Sequence, residues 1–408
     1  MKAFKLVLLV LIITFPLNIN NELEVSSSIG VSNYSINQSI TYQVEINYTF
    51  THTRILPQSY YFKVARLNDR QPNSSLTQYC PPYQEAQLLY NSITGSDTLI
   101  KGSHDKFNNT YDLFNATLNT SETIVLSQKY IVKLNEVAFG GIVDTDIGSY
   151  DTSDEMFNLY CNNTEIYYDI NDPDLIAASN SIVDPSDNPL EKARKICENV
   201  SNYLIYDGTL PAEEKGASWA FDNKRGDCSE YSTLMITLLR IQGIPARKVT
   251  GYLIVAESEF NPAVGDVFTF TADSSGSSSL LGHAWVEYYI PEIGWIACEP
   301  QIESYYKKID DRRFNLNIGA WFFMPGASPG YDYASEFPHF PAPVASDHDA
   351  YTFDYEVKIT VLEADLFFMD LIVIIVIVAI VGTVIIGVTL LIRSNRKKRK
   401  QNEQFSNY

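Results

Sequence analysis

The sequence predicts an α+β chain: an N-terminal β-sandwich, then a core of mixed helices and strands, then a single C-terminal transmembrane helix. Three patterns carry that reading. Residues from about 22 to 146 alternate apolar and polar between Asn-, Ser-, Gly- and Pro-rich turns, as half-buried strands do. From about residue 166 apolar residues recur at three- and four-residue spacing, as on helix faces, and strand-like runs follow. Residues 371–392 carry no charge and are rich in Ile and Val. They precede Arg393, Arg396, Lys397, Lys398, Arg399 and Lys400, a flank that would stay on the cytoplasmic side.

Taken in order, Lys2 and Lys5 precede an apolar run over residues 6–15, too short to span a bilayer, so residues 1–20 read as a signal peptide. The small-residue cleavage site is missing, which leaves an uncleaved N-terminal anchor as the alternative. Over residues 41–51, Tyr42, Val44, Ile46, Tyr48 and Phe50 point one way and Thr41, Gln43, Glu45, Asn47 and Thr49 the other; residues 123–134 alternate similarly. Residues 21–165 are therefore expected to form the β-sandwich. His52 and His104 stand apart from other chemistry there and read as surface residues. Asn188, Pro189 and Glu191 form a helix start, and Ile196, Val200, Tyr203 and Leu204 give that helix, running to about residue 206, a core stripe. Residues 247–255 read as a strand and 257–282 as a Ser/Gly-rich insert. Residues 283–290 and 295–300, joined by a turn at 291–294, read as a hairpin. In 351–362, Tyr351, Phe353, Tyr355, Val357, Ile359 and Val361 alternate with polar residues. One such strand is not stable alone and is expected to join a sheet, the N-terminal sandwich being a candidate. The remaining divisions are a core domain over 166–310, an extension over 311–370, the transmembrane helix over 371–392 and a cytoplasmic basic tail over 393–408.

The formal net charge of the 408 residues is −19, and the tail's six basic residues leave the rest more negative still. Such a surface repels phosphate backbones, which excludes nucleic acid as an expected partner. Asn-x-Ser/Thr sequons at Asn33, Asn37, Asn47, Asn73, Asn108, Asn115, Asn119, Asn162 and Asn199 agree with a glycosylated ectodomain at the cell surface, membrane-attached by one C-terminal helix. The five cysteines, Cys80, Cys161, Cys197, Cys228 and Cys298, allow two disulfides and one free thiol in an exported protein. Cys228 is the choice for the free one, and the pairing of the others is open.

Arg225-Gly226-Asp227-Cys228 opens a helix whose buried face carries Tyr231, Leu234, Met235, Leu238 and Leu239. Asp227 is the expected N-cap, Glu230 completes a capping box, and Gly243 and Pro245 mark the stop. Cys228 thus falls at the first helical position, where unpaired N–H groups and the helix dipole favour a thiolate. The structural alternative is a small buried residue at a helix start. The hairpin would bring His283, at the start of one strand, beside Glu299, at the end of its partner. A nucleophile, a base and an acid that orients the base form a catalytic unit. Asp169, Asp172 and Asp174 lack the spacing of a calcium loop and read as a solvated turn, and no cofactor or metal is expected.

The motifs around residues 225–228, 239–247 with Gly251-Tyr252, 282–287 and 294–300 resemble, in order, those of the transglutaminase-like superfamily, which has a papain-like core. The resemblance covers about 169–301. It implies that Cys228 is the nucleophile and His283 the base. The third member is usually Asp before Pro, and Glu299 stands there instead. By resemblance, members cross-link glutamine to lysine, hydrolyse amides or peptides, or have lost activity. Two functions follow. One is a cell-surface cysteine acyl-transfer enzyme acting on protein carboxamide or peptide bonds through Cys228, His283 and Glu299, with Trp219 weighed as an oxyanion donor. The other is a non-catalytic surface adhesion or assembly protein using the domain as a scaffold.

Overall fold

The computed structural model describes residues 33–67, 69, 80–104, 107, 109–162, 167–210, 214–255, 260–319, 350–365, 387–389 and 392–393. The expected signal peptide, the tail beyond Arg393 and most of 371–392 lie outside them. The expected C-terminal transmembrane helix requires a correction. Among the described residues no helix is long and apolar enough to cross a membrane, only short helical pieces being described at 387–389 and 392–393. The chain is α+β.

The long strands follow the alternation read from the sequence. They are β1 (Tyr34–His52), β2 (Gln58–Ala65), β3 (Gln84–Thr94), β4 (Thr98–His104), β5 (Thr110–Leu118) and β6 (Thr123–Phe139). In β1, Tyr42, Val44, Ile46, Tyr48 and Phe50 are all buried, as period two requires. The helices are α1 (Pro173–Ile182), α2 (Pro189–Tyr203), α3 (Ala217–Asn223) and α4 (Cys228–Ile241), with the short β7 (Ile205–Tyr206) and β8 (Arg225–Gly226) paired in parallel. The remaining strands are β9 (Ala246–Leu253), β10 (Val267–Asp273), β11 (Gly282–Ile290), β12 (Gly294–Cys298), β13 (Lys308–Ile309), β14 (Arg313–Ile318) and β15 (Tyr351–Asp365). Asn188 caps α2 by accepting from the Glu191 N–H, and Pro189 occupies its first turn, as read.

Two sheets build the first of two apolar cores. One runs β10-β15-β1-β6-β13 with β3 also on β6; the other is β2-β5-β4. Their inner faces meet through aromatic contacts such as Phe50 with Phe62, ring centroids 5.1 Å apart and nearly perpendicular. The strand expected over 351–362 joins this sheet as β15, antiparallel to β1, with Phe353 and Val357 buried. Its other neighbour comes from inside the Ser/Gly-rich insert, where β10 alternates and pairs with β15. His52 is buried, not a surface residue: its ring bonds the Tyr60 hydroxyl at 2.7 Å and the Leu56 carbonyl at 2.8 Å. His104 is exposed.

The second core lies between helices and the sheet β12-β11-β9-β14. The helix α4 is its centre, packing on β11, β9, α1, α2 and α3. The expected hairpin is present, Val286 of β11 opposing Cys298 of β12.

Candidate active site

Cys228 is the first residue of α4. Asp227 caps the helix through the Ser229 N–H at 2.7 Å, and Glu230 returns to the Asp227 N–H at 3.1 Å, the reciprocal pair read from the sequence. Gly226 is required because a Cβ there would lie 2.3 Å from the Glu230 Cβ, so the box cannot close around a larger residue. Behind the helix start, Lys248 is buried and spans Glu214 and Ser229. Its ammonium lies 3.0 and 2.9 Å from the two Glu214 oxygens and 2.9 Å from the Ser229 hydroxyl.

The N–H of Ala284, the residue after His283, donates to the Cys228 sulfur. That contact brings the nucleophile candidate to the strand that carries the base candidate. Glu299 follows β12 and reaches the His283 Nε2 with one oxygen, 2.6 Å away. The same oxygen accepts from Arg313 Nη2 at 2.9 Å, and the other accepts weakly from the Gln301 N–H at 3.3 Å. The fold brings the site together through β9. His283 pairs with Gly251 of β9, and a Cβ on Gly251 would lie 1.7 Å from the Phe314 carbonyl oxygen of β14. Only glycine lets β14 approach there, which brings Arg313 to Glu299.

The electrostatics separate the two acids of the region. Burial opposes the charge of Glu299, but His283 and Arg313 hold its carboxyl down at about 2. Nε2 is therefore the nitrogen that donates to an ionised carboxylate, which leaves Nδ1 as the ring nitrogen on the side away from Glu299. Glu230 goes the other way: burial, then Glu214 and Asp227, raise it to about 7. The thiol departs from expectation. The helix start predicts a lowered pKa, yet burial and then the Asp227 carboxylate push Cys228 up, against smaller opposing effects of the Ala284 N–H and Lys248. The residue that caps the helix is thus also the one that disfavours the thiolate.

Arg313 and the Lys248–Glu214 pair were not singled out from sequence. Arg313 opens an alternating strand, Arg-Phe-Asn-Leu-Asn-Ile, which the sequence reading left within the extension over 311–370, and no local pattern gives its pairing with β9. Trp219 is half-buried on α3 with the Arg225 guanidinium over its ring at 5.6 Å. Exposed Tyr206 stands within electrostatic reach of Cys228, Asp227 and Glu299. Asp172 caps α1 through the Asp174 and Leu175 N–H groups, and among the described residues no group of His, Cys, Asp and Glu is arranged to hold a metal ion.

Asp311, two residues before Arg313, is buried and raised to about 7, by burial first and Asp310 second. Its folded pKa exceeds the unfolded value, so its contribution to stability is present below about pH 4 and lost as pH rises towards 7. Compared with Asp311→Asn, the unsubstituted chain should lose up to roughly 4 kcal/mol over that window. Urea unfolding of both proteins at pH 4, 5.5 and 7 measures it; a constant difference across the three would remove the assignment.

Residues 176–300 match the family model described as the transglutaminase-like superfamily. Over 120 residues the chain is 32% identical to the uncharacterized protein YebA of Bacillus subtilis, covering 28% of this chain and 15% of that one. Over 113 residues it is 37% identical to a protein-glutamine gamma-glutamyltransferase of Pseudomonas aeruginosa, covering 27% and 15%. The chain thus spans 15% of the length of each of these curated relatives. Among solved structures it is similar to that described as "a Putative Cysteine Protease from Cytophaga hutchinsonii", at TM-score 0.49 and 14% identity over 81% of this chain and 93% of the other. It is also similar to the periplasmic domain of TgpA from Pseudomonas aeruginosa, at TM-score 0.31 and 18% identity over 67% and 95%. The chain therefore carries, over residues 176–300, a domain of the transglutaminase-like superfamily.

Proposed function

We propose that the chain is a cysteine acyl-transfer enzyme acting on a protein carboxamide or peptide carbonyl through Cys228, His283 and Glu299. The observation that carries the reading is the 2.6 Å bond from His283 Nε2 to Glu299, whose carboxyl is held at about 2. It fixes the imidazole proton on Nε2 and leaves Nδ1 to take one from the thiol. Proton transfer from the Cys228 sulfur to Nδ1 accompanies its attack on the carbonyl carbon. The Cys228 backbone N–H, in the first turn of α4 where N–H groups have no partner within the helix, serves as one oxyanion donor. The imidazolium, stabilised by Glu299, then protonates the leaving ammonia or amine. An incoming amine or water, deprotonated by His283, resolves the thioester and frees the sulfur.

The glutaminyl specificity in the name of the Pseudomonas relative supports a glutamine carboxamide as the acyl donor. The nine sequons support action outside the cytoplasm. A second reading, a non-catalytic adhesion or assembly scaffold, is supported by the Asp227 carboxylate at the start of α4, a neighbour that disfavours a thiolate at Cys228. Incubating the protein with a glutamine-containing peptide and a primary amine separates the two. The enzyme gives amine incorporation or deamidation by mass spectrometry, and an acid-quenched thioester on Cys228. A chain that gives neither product nor thioester is the scaffold.

A further inference from the structure

Two sulfurs meet deep in the second core, away from any role in the proposed chemistry. Cys298, the last residue of β12, lies with its Sγ 3.5 Å from the Sγ of Cys197 on α2, and both side chains are fully buried. The thioether of Met235 on α4 completes the cluster at 3.6 Å from the Cys298 sulfur. The other cysteines lie against different groups. Cys80 meets Arg247 Nη2, Cys161 donates to the Arg240 carbonyl, and Cys228 accepts from the Ala284 N–H.

We propose that Cys197 and Cys298 are a modification site, joined as a disulfide when the chain folds in an oxidising compartment. Two thiols already in van der Waals contact need a small side-chain adjustment to bond, and both belong to the buried apolar cluster. The bond forms by exchange with a low-molecular-weight or protein disulfide of the glutathione class. One cysteine thiolate attacks the oxidant and releases a thiol; the second attacks the mixed disulfide and releases another. The two cysteines lose two protons and two electrons, and the oxidant leaves as two thiols. With both sulfurs fully buried in the folded chain, exchange takes place during folding, before α2 closes over β12, and the finished bond resists reduction without unfolding. The cross-link closes a separation of 101 residues and ties α2 to the strand that delivers Glu299 one residue later.

The test uses the full chain, folded once with oxidised and reduced glutathione and once with excess reductant. Each sample is freed of small thiols, denatured without further reductant and labelled with N-ethylmaleimide. The oxidatively folded chain should take three labels of a possible five, with peptide mapping showing 197 joined to 298, and the reduced chain five. Its thermal midpoint should exceed that of the reduced chain by on the order of 10 °C. Cys197→Ala should remove the difference between the two samples. Where that variant does not fold, the label count and peptide map of the unsubstituted chain decide alone. Five labels after oxidative folding, or a cross-link between any other pair, overturns the proposal.

Discussion

Replacing Cys228 with Ala should reduce acyl transfer by on the order of 10⁶-fold, since it removes the sulfur that attacks the carbonyl. His283→Ala should cost nearly as much, and the double variant little more than either, because the two act as one unit. Glu299→Gln should be milder. The oxygen facing His283 and Arg313 accepts from both, while the other meets only the Gln301 N–H at 3.3 Å. A glutamine can therefore keep its carbonyl towards His283 and Arg313 and preserve the tautomer, losing the charge and the long bond from the Gln301 N–H. Glu299→Asp restores the residue usual in the resembled family, and sequence alone suggests that it could preserve activity. The geometry predicts otherwise. A carboxylate one methylene shorter on the same backbone draws back from both partners. Steady-state kinetics of the five variants measure the order; a Glu299→Asp variant faster than Glu299→Gln would show that the strand end adapts.

Arg313→Met should have the largest effect on stability, about 3–5 kcal/mol, because it removes the cation from a buried acid that cannot be rehydrated. Glu299 would keep the His283 hydrogen bond but lose the guanidinium, and its carboxyl would rise from about 2. The depressed value contributes stability above the unfolded pKa of about 4.5, and that contribution is lost as pH falls towards 2. Acid unfolding of Arg313→Met should therefore begin at higher pH. Arg313→Met with Glu299→Gln should be more stable than Arg313→Met alone, since the second change removes the orphaned charge. Urea unfolding of the single and double variants checks both statements. A double variant no more stable than the single would mean that Arg313 acts on Asp310, its other partner, rather than on Glu299.

What was legible in the sequence was what local pattern dictates. The capping box at Asp227 and Glu230, the α2 start at Asn188 and the alternation of β1 and β15 each depend on residues a few positions apart. The meeting of His283 and Glu299 was legible because a short turn fixes the hairpin between them. Three features were not. Arg313 reaches the site by pairing across to β9, which no local pattern encodes. The environment of Cys228, half-buried with Asp227, the Ala284 N–H and Lys248 about it, depends on tertiary packing that the helix start alone does not encode. The strand inside the Ser/Gly-rich insert alternates over only Val267–Asp273, and it becomes a strand because β15 offers it an edge.

The pairing of β1 with β15 also sets the order in which the chain can be completed. β1 is the central strand of its sheet, with β6 on one side and β15 on the other. Its first partner emerges from the ribosome within a hundred residues, but its second ends at Asp365. At about 5–20 residues per second, the roughly 300 residues between His52 and β15 take about 15–60 s to make. Throughout that interval one flank of a long strand offers unpaired N–H and C=O groups, a template for any neighbouring nascent chain. The transglutaminase-like domain is synthesised inside that window, between the two halves of a sheet that cannot close until synthesis has passed it. A chain ended before β15 would keep the domain of residues 176–300 and leave that flank open for good, so it should be lost to aggregation rather than to lack of a fold.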